Sequence, residues 1–135
     1  MQNGDLGTWE QASLIVVLEG VLCSPSWKGR LRSRLVDPEQ WGWSVTSLRS
    51  IGRYTYGNVP VEVVTFLGEE VADHAAAWLA RYDIPVAGVE AMDFVAFARS
   101  LAWRHNTVQG VVDSDVERLA RFGQKGFQTV QGGEF

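Results

Sequence analysis

The stretch Trp27 to Arg34, WKGRLRSR, sets four cations, Lys28, Arg30, Arg32 and Arg34, beside an aromatic ring. Cations at this density contact phosphate oxygens, and an interleaved aromatic can stack on a base, which is the chemistry of a nucleic-acid surface. A little further on, QWGWS adds Trp41 and Trp43 to a region too irregular to hide every ring. Tryptophan with arginine is also the composition of protein-binding hot spots. The preferred expectation is a protein interface within residues 24–58, formed by Trp27, Lys28, Arg30, Arg32, Arg34, Trp41 and Trp43. A nucleic-acid surface and a solvated flap are the alternatives.

A second set of candidates stands at the ends of apolar runs: Glu19, Thr65, Asp113 and Asp115. The two aspartates can hold a cation, or they can shape their loop and cap the helix that follows. Thr65 can bind an oxyanion or bond locally to backbone, and Glu19 is either a working carboxyl group or a loop residue at a sheet edge. Cys23 is the only cysteine, so no internal disulfide forms and it reads as a small apolar residue. His74 and His105 have no ligand at metal spacing and read as surface residues. Trp78 and Trp103 read as core filling.

The elements that must position these residues follow from hydrophobic periodicity. Ser13 to Leu18 is a continuous, β-branched apolar run, the pattern of a strand buried on both faces of a parallel sheet. Val61 to Phe66 is a second strand. Val71, Ala75, Trp78 and Leu79 then mark a helix with Glu69 and Glu70 at its start and Arg81 at its end. IPVAGV, residues 84–89, is a weaker strand, and Phe94, Phe97, Ala98, Leu101 and Ala102 trace a helix capped by Asp93. Val108 to Val112 is a further strand, followed by a short helix capped by Ser114 and stopped by Gly123, and FQTV closes the pattern. Between the first two strands, WSVTSLRS and GRYTYGNVP are expected to pair as a hairpin near Gly52.

Strands alternating with helices imply an α/β domain of three layers, a mostly parallel sheet with helices on both faces and an irregular or hairpin insertion after the first strand. Residues 1–12 read as a polar, mobile lead-in, and 13–135 as one domain with its insertion at 24–60. The chain has 46% apolar and 21% charged residues, as a globular protein does. No apolar run approaches the length of a membrane span and no basic-then-apolar leader opens the sequence, so a cytoplasmic protein without membrane contact is expected. The net charge of −4 is uneven: from Ser24 to Arg53 six cations face two carboxylates, a local +4 that leaves −8 elsewhere.

In a parallel sheet of this kind ligands sit outside the carboxyl ends of the strands, which selects Val17 to Gly20, Thr65 to Gly68 and Asp113 to Asp115. Those three segments, VLEGVL, VVTFLG and VVDSD, together resemble the haloacid dehalogenase-like (HAD-like) superfamily, in which the first strand ends in Asp-x-Asp-Gly-x-Leu, the second in Thr or Ser and a later one in an acidic pair. Gly20 to Leu22, Thr65 and Asp113 match in order and spacing. WLARYDIP and VDSDVERLARFGQKGF are also similar to segments of the family, the latter to the last unit of small actinobacterial and phage members.

The resemblance implies Glu19 as acid–base residue, Thr65 as phosphate contact, and Asp113 with Asp115 as magnesium ligands. Val17, however, stands where the family has its nucleophilic aspartate, and an isopropyl group has neither charge nor lone pair for covalent catalysis. Without that carboxylate, magnesium loses one of the hard oxygens it needs. GVEAMDF also lacks the family's basic residue, for which Arg99 or Arg104 would have to reach in. A degenerate member without cofactor, acting as a binding or regulatory module on another protein, is the expectation. The alternatives are a magnesium-dependent phosphohydrolase using Glu19 and Asp113, and a nucleic-acid binder acting through the basic insertion.

Overall fold

The computed structural model describes residues 12–135. The lead-in expected over residues 1–12 therefore lies, apart from Ala12, outside the described residues. Five parallel strands form the central sheet: β1 (Ser13–Val17), β4 (Val61–Thr65), β5 (Gly88–Ala91), β6 (Val108–Asp113) and β7 (Gln128–Gln131), in the spatial order β5-β4-β1-β6-β7. The central strand β1 is buried at all five residues and pairs on both sides, Val16 opposite Val63 of β4 and Val112 of β6. Its β-branched run therefore reads as it folds, because neither face meets water.

Side-chain alternation along β1 divides the interior into two layers. Leu14 and Val16 point to the face covered by α1 (Val45–Tyr56) and α2 (Glu69–Arg81), where they meet Ile51, Val71 and Ala75. Ile15 and Val17 point to the opposite face, covered by α3 (Phe94–Trp103) and α4 (Val116–Gln124), where Phe97, Leu101, Leu119 and Phe122 close the core. The connections β1–α1–β4 and β4–α2–β5 step outward on one side, and β6–α4–β7 steps outward on the other. The winding thus reverses between β1 and β6, the position at which an open α/β sheet forms its ligand crevice.

The insertion differs from expectation in one element. Residues 45–56 do not pair as half of a hairpin; they form α1, with the Ser44 hydroxyl accepting from the Ser47 amide at 3.2 Å. The buried face of α1 holds Ser47, Ser50 and Ile51, so two of its inward positions are hydroxyls and the apolar stripe is masked in the sequence. Ser50 donates to the Phe135 carbonyl, which satisfies the hydroxyl it buries. The hairpin that does form is smaller and earlier: β2 (Trp27–Lys28) runs antiparallel to β3 (Arg34–Leu35), with a 3-10 turn over Arg30–Arg32 at its tip.

Smaller shifts have local causes. β5 starts at Gly88, later than residue 84, because Ile84 still closes the end of α2 through the Leu79 carbonyl and Pro85 has no N–H to give to a sheet. Asp115, not Ser114, caps α4, accepting from the Arg118 amide at 3.0 Å. That helix runs through Gly123, and Gly126 at φ +91° follows its end. Asp93 caps α3 as expected, accepting from the Ala96 amide at 2.7 Å.

Candidate functional site at the strand ends

The loop after β1 is a tight turn. The Leu18 carbonyl accepts from the amides of Leu22 and Cys23 at 2.9 and 3.3 Å, and the Gly20 amide returns to the Cys23 carbonyl at 2.9 Å. Gly20 sits at φ +85°, and a Cβ built on it would lie 2.2 Å from Ser114 Oγ. Glycine is required here for two reasons at once: the left-handed backbone and the approach of the β6–α4 loop. This contact draws the ends of β1 and β6 together. On the other side, Glu19 Oε2 accepts from the Phe66 amide at 2.9 Å and ties the same loop to the end of β4.

The three segments selected from the sequence therefore meet where the winding of the sheet reverses, the crevice of this topology, which brings Glu19, Thr65 and Asp113 to one end of the sheet with Thr65 and Asp113 fully buried. Thr65 is buried, and its Oγ1 accepts from the Leu67 amide at 3.1 Å, so the hydroxyl shapes its own turn. Glu19 Oε1 is buried and has no hydrogen-bond partner among the described residues. Val17 is fully buried in the α3/α4 layer.

The residue that sequence reasoning missed is Arg118. Its guanidinium grips Asp113, which is 0% exposed, through Nε to Oδ2 at 2.7 Å and Nη2 to Oδ1 at 3.0 Å. Nη1 lies 3.4 Å from Asp115 Oδ2, and the plane passes over the Phe66 ring at 4.9 Å. The Asp115 amide also donates to Asp113 Oδ1 at 3.1 Å. These bonds hold the Arg118 pKa above its ordinary value, Asp113 contributing most and Glu19 least. Asp115 is held below its ordinary value, chiefly because it accepts the Arg118 amide at the helix cap. A signal for Arg118 was present: a cation in the first turn of a helix opposes the macrodipole and calls for a carboxylate close by.

Magnesium, which the resemblance in the sequence implies, does not fit the side chains present. Val17 offers no oxygen, both Asp113 oxygens are bonded to Arg118, and among the described residues no group of three His, Cys, Asp or Glu residues is arranged to hold a metal ion. Arg99 is exposed on α3, and Arg104 pairs with Glu62 through two bonds, Nη1 to Oε1 at 2.8 Å and Nη2 to Oε2 at 2.6 Å. Neither reaches the crevice. Burial pushes the Cys23 thiol well above its ordinary pKa, with the charge of Glu19 adding to it, which removes its thiolate at neutral pH.

The aromatic part of the expected interface needs correction. Trp41 is 1% exposed, with Nε1 donating to the Val36 carbonyl at 2.8 Å. Trp43 is half-buried, donates to the Pro38 carbonyl at 2.7 Å and stacks on Trp78 at 3.9 Å between ring centroids. The irregular segment hides both rings by wrapping them against α2, and Trp27 also packs partly on the core. Lys28, Arg30, Arg32 and Arg34 remain exposed, joined by Leu31, 99% exposed at φ +58°. Trp103, expected in the core, is 91% exposed on the outer face of α3.

No protein-family model matches the chain, and no curated protein matches it. Among solved structures, it is similar to the crystal structure of D,D-heptose 1,7-bisphosphate phosphatase from Burkholderia thailandensis, at 20% identity and a TM-score of 0.52, covering 85% of this chain and 74% of that one. This likeness shows the fold: the chain has a three-layer α/β fold, a mostly parallel sheet between helices, shared with that phosphatase.

Proposed function

We propose that this HAD-like domain does not hydrolyse phosphoesters and serves as a binding or regulatory module, acting through contacts with another protein. The observation that carries this reading is the Arg118–Asp113 pair. The carboxylate that would hold a cation at the end of β6 is neutralised from within the chain, and the position facing it on β1 is a buried valine. The hairpin tip, with Lys28, Arg30, Arg32, Arg34 and Leu31, is the exposed surface that suits a partner with acidic groups around an apolar notch. The experiment is incubation of the pure protein with magnesium and a generic phosphomonoester: no turnover above buffer is expected. Turnover that Asp113→Asn abolishes would overturn the reading.

One observation favours the active alternative. Glu19 Oε1 is a buried carboxylate oxygen in the crevice with no partner among the described residues, and a phosphohydrolase using Glu19 with Asp113 would need such a group free. In that case Glu19→Gln must also abolish turnover.

A further inference from the structure

A cavity lies away from the strand ends, between α3 and the half of the sheet formed by β4 and β5. Its volume is about 130 Å³, and Ile15, Val64, Met92, Phe97 and Leu101 supply apolar walls. A cavity of about 150 Å³ with similar walls admits a single benzene ring. Two features of its lining run against what packing alone would select.

The first is Gly88. It stands in a strand, where glycine weakens the structure relative to a β-branched residue, and a Cβ built there meets nothing within 4 Å. Its φ lies outside the left-handed region, so no turn demands glycine at this site. Any side chain would fill the space that Gly88 leaves open. The second is Glu62, opposite Gly88 in the sheet register and bonded through both oxygens to Arg104. Replacing a half-buried ion pair of this kind by a well-packed apolar pair is often neutral or stabilising. Two positions on one cavity thus keep it open and polar at some expense in stability, the mark of a site kept for a ligand.

The charges at the rim select the class of ligand. Arg104 is bonded to Glu62, and Glu90, exposed on the same face of β5, also acts on Arg104 by its charge but makes no ion pair within 4 Å among the described residues, so these three groups leave the rim with one net negative charge. We propose that this cavity binds a small aromatic or alicyclic amine, its ring between Val64, Phe97 and Leu101 and its ammonium group at Glu90. This site is separate from the crevice and independent of the function proposed for it.

The test is a titration of the full chain with benzylamine, toluene and benzoate, followed by amide chemical shifts. Benzylamine should give saturable shifts at Gly88, Val89 and Leu101 in the millimolar range, toluene should bind about tenfold more weakly, and benzoate should give none. Gly88→Val should fill the cavity, raise the melting temperature and remove the benzylamine response. Glu90→Gln, an exposed change that leaves the fold intact, should lower benzylamine affinity to that of toluene. The proposal is overturned by any of three results: no benzylamine response, an equal response in folded Gly88→Val, or benzoate binding as tightly as the amine.

Discussion

Arg118 and Asp113 form a two-bond ion pair, Nε to Oδ2 at 2.7 Å and Nη2 to Oδ1 at 3.0 Å, with the carboxylate fully buried. The pair closes the acidic end of β6 with a cation supplied by α4, one turn downstream.

Removing one partner leaves a buried charge without compensation, which costs about 3–5 kcal/mol. Arg118→Met should therefore destabilise strongly in urea denaturation. Arg118→Met with Asp113→Asn should recover a large part of that loss, because the second change removes the stranded charge. Additive losses in the double variant would mean that the pair is not coupled.

The contact between Gly20 and Ser114 predicts a second pattern. Gly20→Ala adds a Cβ at 2.2 Å from Ser114 Oγ and forces a non-glycine residue to φ +85°, at a combined expense on the order of 2 kcal/mol. Adding Ser114→Gly should relieve the collision and leave the backbone strain, so recovery by calorimetry should be partial. Full recovery would show that φ at this turn is unimportant.

Trp41 and Leu31 lie 10 residues apart in the same insertion and should behave in opposite ways. Trp41→Ala opens a cavity beneath α2 and loses about 3–5 kcal/mol. Leu31→Ala, at a fully exposed tip, should change stability by less than about 0.5 kcal/mol. Melting curves of the two variants decide whether the insertion is part of the core, as its buried tryptophan requires.

The pair between Glu62 and Arg104 links stability to pH. Its bonds to Arg104 hold the Glu62 pKa below the ordinary 4.5. Such a group stabilises the fold above its unfolded pKa and loses that contribution as pH falls through the lower folded value. Glu62→Gln should lower stability at neutral pH, on the order of 1 kcal/mol, and should flatten the loss that the parent protein shows below about pH 4.5. Parallel acid-unfolding curves for parent and variant would refute the linkage.

Much of the architecture was legible from local pattern. The runs at Ser13 and Val61 read as buried strands because both faces are covered, and Asp93 announced α3 because its carboxylate caps the free amides of the first turn. The ends of β1, β4 and β6 were legible as one site because parallel winding brings those ends together. What escaped was held in long-range partners. Helix α1 hides its inward face behind Ser47 and Ser50, whose burial depends on a tertiary acceptor, the Phe135 carbonyl in the case of Ser50. Trp41 and Trp43 looked exposed because nothing near them in the chain can cover an indole; α2 covers them, from more than thirty residues on.

The sequence by itself determined an alternating α/β chain, the three strand ends that come together, and an apolar side chain at Val17 where the first strand ends, since these depend on residue type and period within short windows. The tertiary structure alone decided that Arg118 neutralises Asp113, that Trp41 is core and Trp43 stacks on Trp78, and that Gly88 opens a cavity. Each of those is a matter of which side chains from distant segments share one volume or one charge, and local periodicity carries no information about that.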